Sequence, residues 1–330
     1  MKRDCTIDPG DLSYAISPDF RPDWECFRTE VLSGLKKPQK ELPSKYIYDE
    51  KGSRLFEEIC ALDEYYIPRA EEAIMDICIN EIADLLGPRV MLVEYGAGNC
   101  NKAHTLLKHL YDPVAFVPID ISREQLLPSA RELTSSCPGL EVFPVFADYL
   151  KEFELPIPKR EFQRTVVFFP GSTISNFDPV PARRFLERTA RVCGTGGVLL
   201  IGVDLKKDTG ILERAYDDSQ GITAAFNLNL LERINNELGG DFNLDNFRHK
   251  AFYNPDKGRV EMHLVSLQGQ SVNIDGVVIH FAEGESIWTE SSYKFTLDEF
   301  SDIAHATGFT VERVWTDEEQ WFSVQYLVAR

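Results

Sequence analysis

Residues 90–110 constrain this chain most. An apolar run, Val90 to Val93, meets Glu94-Tyr95-Gly96-Ala97-Gly98, and a helical pattern opens near Asn101. A buried strand that turns through two glycines into a helix lets backbone N–H groups approach a bound nucleotide or carboxylate closely. The dinucleotide fingerprint wants a third glycine at 101, where Asn101 stands, so the tight helix–strand packing of NAD proteins is not signalled. Glu-x-Gly-x-Gly instead suits S-adenosylmethionine (SAM), whose amino-acid end has no pyrophosphate to cradle and whose ammonium group favours a nearby carboxylate. A plain strand-to-helix turn with no ligand is the competing reading of these residues alone.

Two later acids favour the ligand. Val114 to Ile119 is a second apolar run ending in Asp120, where a carboxylate can grip both ribose hydroxyls. Val142 to Phe146 is a third, ending near Asp148, which is placed to accept from the adenine amino group while Tyr149 packs on the ring. Either acid singly reads as a loop carboxylate; acids closing two successive strands after a glycine turn do not.

Helix and strand signals then alternate. Apolar residues at 70, 73, 74, 77, 78, 82 and 85 give one helix face, stopped by Gly87-Pro88. Arg164 to Phe169 reads as a fourth strand, Ala182 to Cys193 as a helix and Val198 to Val203 as a fifth strand, a βαβ succession with parallel strands. Thr296 and Glu299 form a capping box for a helix running to Gly308, and Phe309 to Trp315 pairs with Phe322 to Val328 as a hairpin. Between strand five and that helix lies an excess, Leu205 to Ser286, with a helical stretch to Leu238 and strand-like pieces at Arg259 to Gln268 and Val272 to Phe281. Such insertions commonly build a lid or substrate pocket. The expected fold is α/β, Rossmann-like, of the class I SAM methyltransferase layout with a C-terminal antiparallel hairpin. Residues 70–204 and 295–330 would form the cofactor domain, and 1–69 and 205–294 a substrate-binding α+β domain.

The 330 residues suffice for about two domains. A net charge of −18 argues against nucleic acid, whose binding rests on Lys and Arg neutralising phosphates. The N-terminus lacks the apolar core of a secretory signal and no run approaches the ~20 apolar residues of a membrane span, so a cytoplasmic monomer without membrane partners is expected. Seven scattered cysteines with no C-x-x-C pair indicate neither disulfides nor zinc, and the six histidines show no ligand spacing, so no metal is called for. Cys100 reads as a small packing residue.

Further motifs lie along the chain: Tyr48-Asp49 with Gly52-Ser53 and Leu55-Phe56; Glu64-Tyr65-Tyr66 with Pro68-Arg69 and Glu71; Gly171-Ser172-Thr173-Ile174 with Asn176; and Asp208-Thr209-Gly210. Ala215-Tyr216-Asp217-Asp218, Thr223 to Asn227, Arg259 with Glu261-Met262, and Thr289-Glu290 with Ser292 and Lys294-Phe295 continue the series. Together with the glycine turn and Lys102, these strings make nearly the whole chain resemble the histidine-specific SAM methyltransferases of ergothioneine biosynthesis, which make Nα-trimethylhistidine from L-histidine. The sequence departs from that family's strings at Tyr95, Asn99 and Cys100, which bears only on the fine shape of the cofactor loop. The resemblance implies that Gly96, Lys102, Asp120, Asp148 and Tyr149 line the SAM pocket. It further implies that Tyr65, Asn176 and Tyr216 hold the amino acid's carboxylate and amine, and that Tyr48, Met262, Glu290 and Ser292 surround its side chain. Tyr48, Tyr65 and Asn176 are the expected catalytic set.

One part of this stands on the residues themselves. Glu290 and Ser292 are two apart in a β-like run, Ser286 to Phe295, and so face the same way. Imidazole offers two ring nitrogens to such a pair, Glu290 accepting from one N–H and Ser292 serving the other. A solvated strand face is the bland alternative. Three rival functions remain in view: methyl transfer to tryptophan or another indole amine, a non-catalytic SAM or amino-acid binding protein, and an NAD-linked dehydrogenase. A buried Glu290 facing an indole carbon edge would lack its partner. The missing third glycine and the terminal hairpin disfavour the dehydrogenase.

Overall fold

The computed structural model describes residues 15–16, 24–151 and 153–330. Residues 1–14 and 17–23, which include Cys5 and part of the stretch 1–69, lie outside the described residues. In chain order the first elements are β1 (Ala15–Ile16), α1 (Trp24–Leu35), β2 (Lys40–Glu41), α2 (Glu50–Cys60), α3 (Ile67–Leu86), β3 (Val90–Tyr95), α4 (Asn101–Leu107), β4 (Ala115–Asp120) and α5 (Arg123–Ser136). Then come β5 (Glu141–Val142), β6 (Val145–Phe146), β7 (Arg164–Phe169), α6 (Pro179–Cys193), β8 (Val198–Asp204), α7 (Thr209–Tyr216) and α8 (Ile222–Leu238). The chain closes with β9 (Phe247–Asn254), β10 (Arg259–Ser266), β11 (Gln270–Ile274), β12 (Val277–Phe281), β13 (Ser286–Tyr293), α9 (Leu297–Ala306), β14 (Phe309–Thr316) and β15 (Phe322–Ala329).

The main sheet runs β1-β6-β4-β3-β7-β8-β15-β14, with β5 also pairing β4. It is parallel up to β8, and β15 is antiparallel to both β8 and β14. Every residue of β3 and β8 is buried, as the near-continuous apolar runs of strands covered on both faces require. Alternate side chains divide the core. Val90 and Leu92 pack with Ile74 of α3, Leu106 of α4 and Leu126 of α5, while Met91, Val93 and Tyr95 pack with Phe185 of α6 and Phe300 of α9. This is the Rossmann-like α/β layout with a terminal hairpin that the apolar runs predict. Chain order reverses across β3, because β4 lies on one side and β7 on the other, and such a switch opens a crevice at the strands' carboxyl ends.

Two local expectations change. The third strand, expected as one run over 142–146, is the two pieces β5 and β6; Pro144 between them and Pro118 in the facing stretch of β4 have no N–H for a continuous ladder. The run 272–281 is the hairpin β11–β12, turning at Asp275-Gly276 with φ of 47° and 78°, the Asp-Gly signature of a tight two-residue turn. The capping box forms as expected, with Thr296 accepting from Glu299 N and Glu299 reaching back to Thr296 N.

A second sheet, β2-β13-β10-β9, adjoins the first. Leu205 bridges Phe295 in parallel, and Phe295 N donates to Asp204 O at 3.2 Å. That junction brings β13 to the carboxyl end of β8. No helix among the described residues is long and apolar enough to cross a membrane.

Candidate active site

At the glycine turn, Gly96 and Gly98 have φ of 67° and 49°, values that a side chain would strain. Gly96 N and Ala97 N both donate to Ile119 O, and Gly98 N donates to Asp120 Oδ2 at 2.8 Å. The other Asp120 oxygen accepts from Ser122 N at 2.7 Å, so this acid ties the tip of β4 to the glycine loop. Asp148 Oδ1 accepts from Leu150 N at 2.9 Å. The Tyr149 ring stacks on Tyr95, centroids 5.7 Å apart and planes 5° from parallel, and lies over Gly96. Cys100 is buried in a left-handed conformation at the start of α4, and burial pushes its thiol up, as befits a packing residue.

Glu94 gives the turn its chemistry. Its side chain is buried and its Oε2 has no hydrogen-bond partner among the described residues. Burial pushes this carboxyl well above its usual range; the Lys102 ammonium opposes the shift, and the Asp120 and Glu71 carboxylates add to it. A buried carboxylate oxygen without a partner is unfavourable until a donor arrives. The ammonium of SAM is such a donor, so the turn fits that ligand. Lys102 Nζ meets Glu71 Oε2, and Glu71 Oε1 accepts from Gly171 N at 2.8 Å. Gly202 makes this approach possible, because a Cβ there would lie 2.4 Å from Glu71 Oε1.

Across the crevice, β13 supplies the second set of groups. Met262 pairs with Glu290 and His263 with Trp288, which leaves Thr289 as the extra residue of a bulge. The bulge resets the alternation: Ile287 faces the core, Trp288 faces outward under the Arg259 guanidinium, and Glu290 and Ser292 face inward beside Met262 and Val260. Glu290 is buried and its Oε2 also has no partner among the described residues. Burial pushes its carboxyl up to about 7, against the pull of the Lys294 ammonium.

Ser292 Oγ accepts from Tyr216 Oη at 2.7 Å and from Lys294 Nζ at 2.8 Å. Lys294 Nζ also donates to Tyr216 Oη at 2.9 Å and pairs with Asp204 Oδ2 at 2.6 Å, both charges fully buried. The Asp204 carboxylate further accepts from Tyr66 Oη and Lys207 Nζ. Burial pushes Asp204 up, but the two ammonium groups more than offset this and hold it below the usual carboxylate range. Burial lowers Lys207 to about 8.

The remaining predicted residues gather around this core. Tyr48 meets Phe56 and Phe226 edge-on, and Tyr65 meets Tyr216 edge-on at 6.0 Å. Neither hydroxyl has a hydrogen-bond partner among the described residues, and burial raises both well above the usual tyrosine range, with Glu290 and Tyr216 among the contributing neighbours. The Tyr65-Tyr66 pair thus divides, Tyr66 going to Asp204 and Tyr65 to the aromatic wall. Asn176 ends a 3-10 turn, Thr173–Asn176, that packs on β8 and β13, and its amide has no partner among the described residues. Glu71, Asp204, Lys207 and Lys294, which join the predicted residues through these bonds, are not among the residues the sequence points to. The signal for Lys294 is its period-two spacing after Glu290 and Ser292, and for Asp204 its position closing the fifth apolar run. Among the described residues no cluster of His, Cys, Asp and Glu could hold a metal ion.

A parallel sheet with a switch point, an antiparallel terminal hairpin and an acidic glycine turn together define a Rossmann-like SAM-dependent methyltransferase. Residues 27–329 match the family described as "Histidine-specific methyltransferase, SAM-dependent". The chain is 38% identical over 310 residues to the histidine N-alpha-methyltransferase of Mycolicibacterium smegmatis, covering 92% of this chain and 95% of that one. It is 39% identical over 298 residues to the histidine N-alpha-methyltransferase of Mycobacterium tuberculosis, covering 89% and 92%. It is also 29% identical over 287 residues to ergothioneine biosynthesis protein 1 of Neurospora crassa, covering 79% of this chain and 32% of that one. The chain belongs to the histidine-specific, SAM-dependent methyltransferase family.

Proposed function

We propose that the protein transfers methyl groups from SAM to the α-amino group of L-histidine, three times in succession, giving Nα,Nα,Nα-trimethylhistidine (hercynine) for ergothioneine biosynthesis. The observation that carries the choice of acceptor is the buried, partnerless Glu290 Oε2 on the same strand face as the Ser292 hydroxyl. An imidazole ring answers both groups with its two nitrogens. Tyr48 and Met262 wall the ring, while Tyr65, Asn176 and Tyr216 hold the carboxylate and amine. Gly96, Lys102, Asp120, Asp148 and Tyr149 line the cofactor pocket. In this reading residues 70–204 and 295–330 form the cofactor domain and the rest the substrate domain, acting together as a cytoplasmic monomer on a small molecule.

Bound SAM supplies an electrophilic methyl group on a sulfonium. The protein's work is placement, holding the neutral amine close to that methyl and in line with the bond that breaks. In the first two transfers the Asn176 amide oxygen can accept from an amine N–H and so aim the nitrogen lone pair; the neutral dimethylated amine has no N–H, so in the third transfer placement rests on the hold on the ring and carboxylate. An α-amino group has a pKa of ~8 in peptides and a higher one in a free amino acid, so a neutral fraction is present and water can take the proton without a dedicated base. The grip on the ring is unchanged as methyls accumulate on the amine, which lets one site serve all three transfers. Incubating the pure protein with SAM and L-histidine and following product mass tests the proposal. A product three methyl groups heavier than histidine is expected; monomethylhistidine alone removes the trimethylation, and unmodified histidine removes the proposal.

A further inference from the structure

We infer that Lys294 is a positioning residue that fixes the Ser292 hydroxyl as a hydrogen-bond donor, so that the site takes the neutral ring of its substrate in a single tautomer. The inference rests on the histidine reading above and adds to it a rule for which protonation form of the ring is bound.

A hydroxyl group has two acceptor positions and one hydrogen. Both acceptor positions of Ser292 are filled from within the protein, one by Lys294 Nζ at 2.8 Å and one by Tyr216 Oη at 2.7 Å. The only bond Ser292 can still make is to donate. Lys294 has no freedom to release it: the three N–H groups of its buried ammonium go to Asp204, Tyr216 and Ser292, and Asp204 is itself held by Tyr66 and Lys207. Glu290, on the same face, is an acceptor when ionised. The two ring-facing groups therefore present one acceptor and one donor in fixed places. A neutral imidazole satisfies both in one tautomer. An imidazolium turns a second N–H toward the Ser292 hydrogen, and a ring lacking the bare nitrogen leaves that hydrogen without an acceptor, at the penalty of an unmade buried hydrogen bond.

Calorimetric titration of the full chain with L-histidine and with the two pyrrolylalanines tests this. The pyrroles keep one N–H, in either ring position, and lack the bare nitrogen. The wild-type protein is expected to bind histidine about tenfold or more tighter than the better pyrrole. In Lys294→Met, Ser292 can turn its hydrogen to Tyr216, so the ratio is expected to narrow to about threefold or less. A merely structural lysine would weaken both ligands alike and leave the ratio unmoved. Tyr216→Phe, which empties the other acceptor position on Ser292, is expected to narrow the ratio too, and it decides the matter if Lys294→Met does not fold. Equal wild-type affinities, or an unchanged ratio in the variants that fold, overturn the inference. A wild-type protein that binds neither histidine nor the pyrroles overturns the histidine reading instead.

Discussion

The Glu71 carboxylate holds the Lys102 ammonium at 2.5 Å with one oxygen while its other oxygen takes the backbone N–H of Gly171. One acid in the first turns of α3 therefore joins the helix after the glycine turn to the loop that carries Asn176. Glu71→Gln keeps the shape and removes the charge. Because Lys102 is half-exposed, solvent screens part of the ion pair, and the loss of stability is expected at about 1–2 kcal/mol, together with weaker SAM binding. Urea unfolding and calorimetry check the two effects; a variant that loses neither would show that the bridge is incidental.

Glu290→Ala removes the acceptor proposed for the ring N–H and leaves the neighbouring groups in place. Histidine kcat/KM is expected to fall by tenfold or more, about 1–3 kcal/mol of lost recognition. Steady-state kinetics with histidine measure this directly, and an unchanged kcat/KM would remove Glu290 from the ring site.

The same carboxylate makes a prediction about stability. Its folded pKa is raised by burial from 4.5 to about 7. Below pH 4.5 the group is protonated whether the chain is folded or not. As pH rises toward 7 the unfolded chain ionises it freely while the folded protein resists, so stability is lost over that window and the full penalty stands above it. The shift corresponds to about 3 kcal/mol. Glu290→Gln is therefore expected to exceed the wild-type melting temperature at pH 8 and to match it more closely at pH 5. A difference between the two proteins that does not grow with pH would contradict this.

Glu94→Gln tests the cofactor side. If the partnerless Glu94 oxygen receives the cofactor's ammonium, the variant is expected to bind SAM tenfold or more weakly. It should lose the same factor for S-adenosylhomocysteine, which has the same ammonium and lacks the sulfonium charge. Calorimetry with both ligands separates the cases, since a loss confined to SAM would mean that Glu94 reads the sulfonium.

The sequence made the local devices legible. The glycine turn, the capping box at Thr296 and Glu299, and the terminal hairpin each rest on residues within a few positions of one another. The period-two relation of Glu290 and Ser292 was equally visible, because alternation along a strand depends on nothing outside it. What stayed hidden depends on distant pairings. The Thr289 bulge exists only against β10, and without it Ile287 could not join the core while Glu290 faces the crevice. The Asp204–Lys294 pair spans two sheets joined through the Leu205–Phe295 bridge, and Glu71 reaches Gly171 across a space that Gly202 leaves open. The expected roles of Tyr48, Tyr65 and Asn176 came from the family resemblance, since a lone tyrosine or asparagine carries no spacing signal.

The most direct measurement is a crystal structure of the protein with S-adenosylhomocysteine and L-histidine bound together. One imidazole nitrogen is expected within hydrogen-bond distance of Glu290, the other within reach of the Ser292 hydroxyl, and the ammonium of S-adenosylhomocysteine beside Glu94 at the glycine turn. A histidine bound with its ring away from Glu290, and that carboxylate still without a partner, would contradict this.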